Sequence, residues 1–303
     1  MSVILREERR SELPLIAFTT LVPAAEGVCL CALAGMGASA LAEGGAFDLA
    51  GLGALAALAW VLTSIGMAAS VAHLAKPLRA PRSLANLRSS WLSREIAAVS
   101  VFWALLLAWL AACALGRTVL AVAANLLAVA AGAALLVVVA LAYRVSPRPA
   151  WCGSEGLAEL WACALGAGPA ASFALAGGDP MPLAASCAFV AVSLGGLAVD
   201  VWSHRARRRR LQAIAPRSDE RVSLTLARYA HLWPCVRRLW AAEGACCVVF
   251  AAAVALAGVG VHGVVVAALA AAAAAGQLCV HAQHRNLFYE LPVQVRWAAK
   301  LRK

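Results

Sequence analysis

Charged residues are scarce, and no stretch between the apolar runs is long enough to form a soluble domain. They make up 14% of the sequence, whereas 63% of residues are hydrophobic and the mean hydropathy is +0.81. An ordinary globular domain is about 25% charged. The weakly alternating ten-residue segments of a membrane β-barrel are absent as well. This composition excludes a water-soluble enzyme and a barrel.

Motifs for bound redox cofactors are also missing. The ten cysteines include no Cys-x-x-Cys pair, and neither Cys29/Cys31 nor Cys246/Cys247 has the spacing of iron–sulfur or zinc ligands. No dinucleotide-binding glycine motif occurs. Most cysteines lie within apolar runs, which indicates small packing residues. We therefore expect no metal in this chain and no terminal reductase site.

Apolar runs of twenty or more residues recur along the whole chain and predict an all-α membrane bundle of about eight transmembrane helices. The predicted spans are Leu13–Leu41, Leu49–Leu74, Ile96–Leu115, Val119–Tyr143, Leu157–Ala176, Leu183–Trp202, Trp240–Val259 and His262–Ala282. Pro23 is expected to kink the first span. The fifth span, which would correspond to it if the chain had two repeated halves, shows no clear counterpart of this kink. Ser93 is the expected N-cap of the third span. We expect one integral membrane domain over residues 1–303, with a basic loop at 203–239 and a basic tail at 283–303.

Positive charge is concentrated on one side of the predicted bundle, where the two tails and the second, fourth and sixth loops lie. The second loop contains Lys76, Arg79, Arg82, Arg88 and Arg94, and the sixth contains ten arginines. The loops of the opposite side contain only one basic residue, Arg117. By the positive-inside rule both termini are cytoplasmic. A basic face that docks an acidic partner is a competing explanation, whereas a short loop without a folded module does not favour nucleic-acid binding.

A polar hinge separates the second and third spans. His73 closes the second span and Glu95 opens the third, so a helical hairpin places both at the same membrane depth. A neutral imidazole, with an unperturbed pKa near ~6.5, can accept a proton that a carboxylate passes on. Arg79 in the hinge would stabilise developing negative charge. The structural alternatives are a satisfied interfacial histidine and an acid that complements a helix N-terminus.

Other polar residues within the spans are weaker candidates. Glu26 is an acid at membrane depth, which is a functional hypothesis by default, although it could pair with a loop arginine. His281 and His284 end the last span on the side of His73, so a haem between two imidazoles stays open. His204 and His231 lie in the basic loop and are expected to be solvated. The side chains expected to form the walls of a ring-binding slot are Trp60, Trp91, Phe102 and Trp103.

The hinge resembles a known family. His73-Leu-x-x-Pro-x-Arg-Ala80, followed by Asn86 and Ser93-x-Glu-Ile96, is similar to the membrane anchor subunit of dimethyl sulfoxide reductase. Leu13-Pro-Leu-Ile-Ala-Phe-Thr19 resembles that family's first helix, and Arg285-x-x-Phe-Tyr289 is a weaker match. The arginine-rich sixth loop and the long tail depart from the family pattern.

The resemblance implies an eight-helix anchor without haem in the bacterial plasma (inner) membrane. Such anchors oxidise menaquinol to menaquinone in anaerobic respiration and pass two electrons to an iron–sulfur, ferredoxin-like subunit, which feeds a molybdopterin catalytic subunit. His73 and Glu95 match the positions that the family implicates in quinol binding. Two alternatives stay open: a polytopic small-solute transporter, and a purely structural anchor whose quinol site has decayed.

Overall fold

The computed structural model describes residues 12–41, 48–73, 86–144, 148–176, 183–217, 220–261 and 263–292. Within these ranges the only regular structure is helical, and eight helices are long and apolar enough to cross a membrane. They are α1 (Leu13–Leu41), α2 (Leu49–His73), α3 (Trp91–Ala114), α4 (Thr118–Arg144), α5 (Glu155–Leu175), α6 (Leu183–Ile214), α7 (Glu220–Gly258) and α8 (Val264–Glu290). The predicted all-α membrane bundle is confirmed.

The eight helices form two consecutive four-helix bundles. In the first, α1 packs on α2, α2 on α3, α3 on α4 and α4 back on α1, and α5 to α8 pack in the same order. α1 also contacts α5 and α8, which joins the two bundles. The most apolar segments of α1 and α5 are 78% and 67% buried, and no other described span exceeds 39%. These two helices are therefore the centre of the molecule, and the other six surround them.

The proline inside the first span has a counterpart in the fifth, so the expectation of none was wrong. α1 contains Pro23 and α5 contains Pro169 within the helix. A proline removes one hydrogen bond from its helix, and neighbouring helices can satisfy the freed backbone group inside a membrane bundle. The two prolines lie on the two central helices of the molecule, where such neighbours are available.

Glycine lets the two central helices approach closely. Gly27 of α1 lies against the backbone of Ala164 in α5, and Gly168 of α5 lies against the backbone of Gly27. A Cβ at either glycine would overlap main-chain atoms of the other helix. Close packing of small residues is a main source of helix association in lipid, so this crossing holds the two bundles together.

The described residues of the segment 203–239 are helical, which corrects the expected basic loop. α6 continues to Ile214, a 3-10 turn covers Ala215–Arg217, and α7 begins at Glu220. Arginine is a good helix former, so the end of the apolar run at Trp202 does not end the helix. The expected boundary of the last span also changes, because α8 extends through Arg285 to Glu290 and takes in the start of the predicted tail.

The third span begins five residues earlier than expected, and Ser90 rather than Ser93 is its N-cap. The Ser90 hydroxyl accepts a hydrogen bond from the Ser93 amide at 3.3 Å, and α3 starts at Trp91. At the other end, Gly116 has a φ of +66°, which a residue with a Cβ rarely adopts. That conformation allows α4 to begin at Thr118, directly after the turn.

Candidate functional site

One end of the molecule contains most of the candidate residues. Since the helices run up and down in turn, this end contains the starts of α1, α3, α5 and α7 and the ends of α2, α4, α6 and α8. We call it the tail side. Here the α6–α7 hairpin contains most of the arginines of 203–239, and α8 ends with His281, His284 and Arg285.

The structure places the predicted hinge residues at the tail side as far as it describes them. His73 is the last residue of α2, and its side chain lies outside the described part of the chain, as does Arg79. Glu95 lies in the first turns of α3 and is half-buried. It is close enough to Tyr143, near the end of α4, for charges on the two groups to interact. α2 and α3 are packed neighbours, so the end of one and the start of the other lie at the same end of the bundle.

Glu26 lies deeper in the first bundle than the hinge. Its side chain is fully buried against Gly132 of α4 and beside Phe102 of α3. Phe102 is seven residues beyond Glu95, which corresponds to about 10 Å along a helix. Among the described residues neither carboxylate oxygen of Glu26 has a hydrogen-bond partner. The structure therefore separates Glu26 from the hinge and leaves it as an isolated acid inside the bundle.

Two of the expected ring-binding tryptophans contact each other but not at the hinge. The rings of Trp60 and Trp103 lie 5.5 Å apart, and Trp103 Nε1 donates to Ser64 Oγ at 2.8 Å. Trp60 is thirteen residues before the end of α2, which places the pair about 20 Å from His73 along the helix. Of the four side chains, Trp91 alone lies at the depth of the hinge. The Arg94 guanidinium carbon lies over its ring, 4.4 Å from the centroid.

A second group of polar side chains is buried in the second bundle at the tail side. We call it the histidine–carboxylate cluster. It comprises Asp200 and His204 of α6, Glu243 of α7, and His281 and His284 of α8. All five have at most 2% of their surface exposed. His204 was expected to be solvated, and this is wrong, whereas His231 is exposed as expected.

Two arginines and an acid border the cluster. Glu159 of α5 pairs with Arg207 of α6, and Arg285 Nη1 of α8 lies 3.6 Å from the second Glu159 oxygen. Arg285 Nε also donates to Thr19 Oγ1 of α1 at 3.1 Å. Among the described residues, no guanidinium lies within ion-pair distance of Asp200 or Glu243, whose partners are histidines. The two guanidiniums therefore share one carboxylate, Glu159, and the histidines are the ion-pair partners of Asp200 and Glu243.

Tyr229 of α7 holds the His204 imidazole in place. The Tyr229 hydroxyl oxygen lies 3.0 Å from the His204 carbonyl, to which it donates, and 2.7 Å from His204 Nδ1. The other ring nitrogen, His204 Nε2, lies 2.9 Å from Nδ1 of His284, so the two imidazoles are in hydrogen-bond contact.

An aromatic and polar path runs along the tail side between the hinge and the cluster. Tyr143 near the end of α4 shares a 2.5 Å hydrogen bond with Tyr289 of α8, and Arg285 stacks over the Tyr289 and Phe288 rings at 5.4 and 4.1 Å. Trp151 stacks on Phe288 with ring centroids 5.2 Å apart. Tyr143, Tyr289 and Arg285 thus form a line of contacts from the end of α4 to Glu159, at the border of the cluster.

Sequence reasoning missed the cluster because the arginines concealed the helix that carries it. Asp200, His204, Arg207 and Leu211 follow one another at spacings of four, three and four residues, and all four side chains are buried. That is the period of one helix face. The same test applied across the end of the hydrophobic run would have placed Asp200 and His204 on the inward face of a continuous helix.

Part of the cluster has the composition of a metal site. Asp200, His204 and His284 are buried, and one ligand atom from each lies within 4.8 Å of the other two. A b-type haem would need room for its ring between two imidazoles, whereas His204 and His284 contact each other directly. Among the described residues, this pair therefore does not fit a haem.

Comparison with known proteins agrees with this architecture. The chain matches the family of DMSO reductase anchor subunits over residues 8–291. It is also similar to the anaerobic dimethyl sulfoxide reductase chain YnfH of Escherichia coli (strain K12), with 35% identity over 94 residues. That alignment covers 30% of this chain and 33% of the relative. With eight apolar helices over the matched region, the chain is a multi-pass membrane protein and belongs to the family of DMSO reductase anchor subunits.

Proposed function

We propose that this chain anchors a molybdoenzyme complex and oxidises menaquinol at the tail-side hinge, in anaerobic respiration at the bacterial plasma (inner) membrane. The observation that carries the proposal is the pairing of the end of α2, at His73, with the first turns of α3, at Glu95, in a protein of the anchor family. The terminal reduction would take place in another subunit, because this chain has no motif for the cofactors that such a reduction requires.

Quinol oxidation releases two electrons and two protons, and the proposed residues divide these tasks. His73 would accept a hydroxyl proton, and Glu95 would orient the imidazole or pass the proton on. Arg79 would stabilise the charge that develops on the quinol oxygen. Glu26 would hold a proton deeper in the bundle, since its carboxylate is buried and has no hydrogen-bond partner among the described residues. The electrons would leave towards an iron–sulfur subunit, so menaquinol is a transient substrate and not a resident group.

The basic α6–α7 hairpin would form the docking face for that subunit. Arg205 and Arg209 are exposed on α6, at the same end of the molecule as the hinge. A ferredoxin-like subunit bound here would bring a cluster close to the quinol, and it would hold the molybdopterin catalytic subunit through its other face. The same arginines would contact lipid headgroups at a cytoplasmic membrane surface, in keeping with cytoplasmic termini.

Binding of a fluorescent quinol analogue to membranes with the assembled complex tests this proposal. We expect saturable binding to the wild type, loss of binding with His73→Ala and weaker binding with Glu95→Gln. His231→Ala is the matched control, because His231 is an exposed histidine on α7 and should leave binding unchanged. Tight binding that survives His73→Ala in an assembled complex would place the quinol site elsewhere.

The two rival functions give different outcomes in the same preparation. A purely structural anchor would assemble the complex but bind no analogue even as the wild type. The corresponding halves of the fold favour a transporter, because transporters are commonly built from two repeats. A transporter would show substrate-dependent uptake into vesicles that contain the chain without its partners, whereas the proposed anchor would show none.

A further inference from the structure

Three side chains of the histidine–carboxylate cluster form a ligand set that the quinol proposal does not use. Asp200 and His204 are four residues apart on one face of α6, and His284 faces them from α8. Asp200 Oδ2 lies 3.2 Å from His284 Nε2 and 3.8 Å from His204 Nε2. Two imidazoles and one carboxylate from two helices therefore converge on one point inside the protein.

Two buried polar atoms at that point have no partner. Asp200 Oδ1 and His284 Nε2 form no hydrogen bond among the described residues, although His284 Nε2 lies only 3.2 Å from the other Asp200 oxygen. An unpaired polar atom inside a protein costs free energy. A cation bound between the carboxylate and the imidazoles would satisfy both atoms.

The outer contacts of these side chains match those of metal ligands. A histidine that binds a metal through one nitrogen usually donates its other N–H to an acceptor, and the Tyr229 hydroxyl oxygen lies in position to accept from His204 Nδ1, at 2.7 Å. Ligating carboxylates are hydrogen-bonded in turn, and Trp240 Nε1 donates to Asp200 Oδ2 at 3.1 Å. Ligand atoms around a tetrahedral zinc ion lie about 3.3 Å apart, close to the 3.2 and 3.8 Å observed here.

We infer that Asp200, His204 and His284 bind one divalent transition-metal ion of the zinc type. The ion would be bound by an Asp200 oxygen and by Nε2 of both imidazoles, in place of the contact between His204 Nε2 and His284 Nδ1, and would clamp α6 to α8 beneath the arginine-rich hairpin. Two nitrogens and one oxygen suit zinc and its neighbours better than magnesium or calcium, which prefer oxygen ligands. The inference is independent of the quinol proposal and departs from the expectation of no metal, which rested on cysteine spacing alone.

The chemistry also fits the surroundings of the site. Asp200 and Glu243 have no guanidinium within ion-pair distance in the described part of the chain, and a cation beside Asp200 would compensate a carboxylate charge that no arginine pairs with. Glu243 Oε1 lies 3.6 Å from His281 Nε2 and stays outside the ligand set. Three protein ligands leave a fourth position, which a water molecule can occupy.

The test measures metal on the full-length chain, purified in detergent through an affinity tag that contains no histidine. After removal of metal by a chelator, zinc is added and the bound ion is quantified by mass spectrometry and titration. We expect one zinc ion per wild-type chain and a higher melting temperature with zinc than without it. Asp200→Asn, His204→Gln and His284→Gln should each remove this binding and the thermal shift. Cobalt should give an intense visible spectrum, typical of a tetrahedral site, in the wild type only.

Two further variants make the outcome decisive. His231→Gln removes an exposed histidine on α7 and should bind zinc like the wild type. Tyr229→Phe removes the outer contact of His204 but no ligand, and should weaken binding by about 10–100-fold. Should a ligand variant not fold, Tyr229→Phe still tests the site. Wild-type protein that binds no zinc would overturn the inference and assign the space between Asp200, His204 and His284 to a shared proton. Unchanged binding in the ligand variants or in Tyr229→Phe would overturn it as well.

Discussion

Tyr143 of α4 and Tyr289 of α8 share a hydrogen bond of 2.5 Å, which connects the first bundle to the second at the tail side. Their rings also pack edge to face with centroids 5.8 Å apart. Each tyrosine contacts Trp151, which follows α4, and Phe288 of α8. The hydroxyl pair therefore lies in an aromatic cluster to which helices of both bundles contribute.

We expect Tyr289→Phe to lower the free energy of unfolding by about 0.5–1.5 kcal/mol, because it leaves the Tyr143 hydroxyl without this partner while the ring contacts remain. Thermal unfolding of the detergent-solubilised protein measures the change. In a double-mutant cycle, adding Tyr143→Phe should cost much less than it does in the wild type. Fully additive costs would show that the two hydroxyls contribute independently.

The crossing of α1 and α5 should tolerate no side chain at Gly27. We expect Gly27→Ala to lower stability by about 1–3 kcal/mol, since the new Cβ meets the Ala164 backbone, which cannot rotate away as a side chain can. Gly35→Ala is the matched control on the same helix, because nothing lies within 4 Å of its Cβ position. It should change stability by less than about 1 kcal/mol. Equal effects of the two substitutions would mean that helix propensity, and not the crossing, governs both.

The number of spans could be predicted from the sequence, because lipid requires an apolar run for every crossing. The first predicted span, Leu13–Leu41, agrees with α1, and the end of the second lies within one residue of His73. At these points the apolar run and the helix end together. The apolar run does not predict the end of α6, because the run ends at Trp202 and the helix continues to Ile214.

The buried cluster could not be found from composition because charged residues are usually exposed. Arg207 is fully buried, although it lies in the run Arg205 to Arg210. Its face of α6 meets Glu159 of α5, and a partner so distant in sequence is not visible before the fold is known. The hinge was identified through its resemblance to a family, and its proposed chemistry remains a prediction.

Arg207 should be far more important for stability than its exposed neighbour. Arg207→Met removes the partner of a Glu159 oxygen inside the protein, and we expect a loss of about 3 kcal/mol, at the lower end of the range for broken buried pairs because Arg285 still lies near Glu159. Arg209→Met changes the same side chain at an exposed position on α6 and should be nearly neutral. Unfolding in detergent compares the two. Similar stabilities would show that Glu159 and Arg207 gain no more from each other than surface charges do.

Glu26 offers a way to separate proton transfer from quinol binding. It lies about 10 Å deeper than Glu95, too far to contact a quinol held at the hinge, so Glu26→Gln should leave KM for menaquinol unchanged. If its carboxylate takes up protons released at the hinge, kcat should fall by about 10²-fold, because the amide cannot accept them. Glu290→Gln, at an exposed acid near the end of α8, should alter neither constant. Turnover of the assembled complex with a menaquinol analogue provides both constants. An unchanged kcat would show that Glu26 takes no part in proton transfer, whereas a raised KM would place it in contact with the quinol and require a deeper binding site than the hinge.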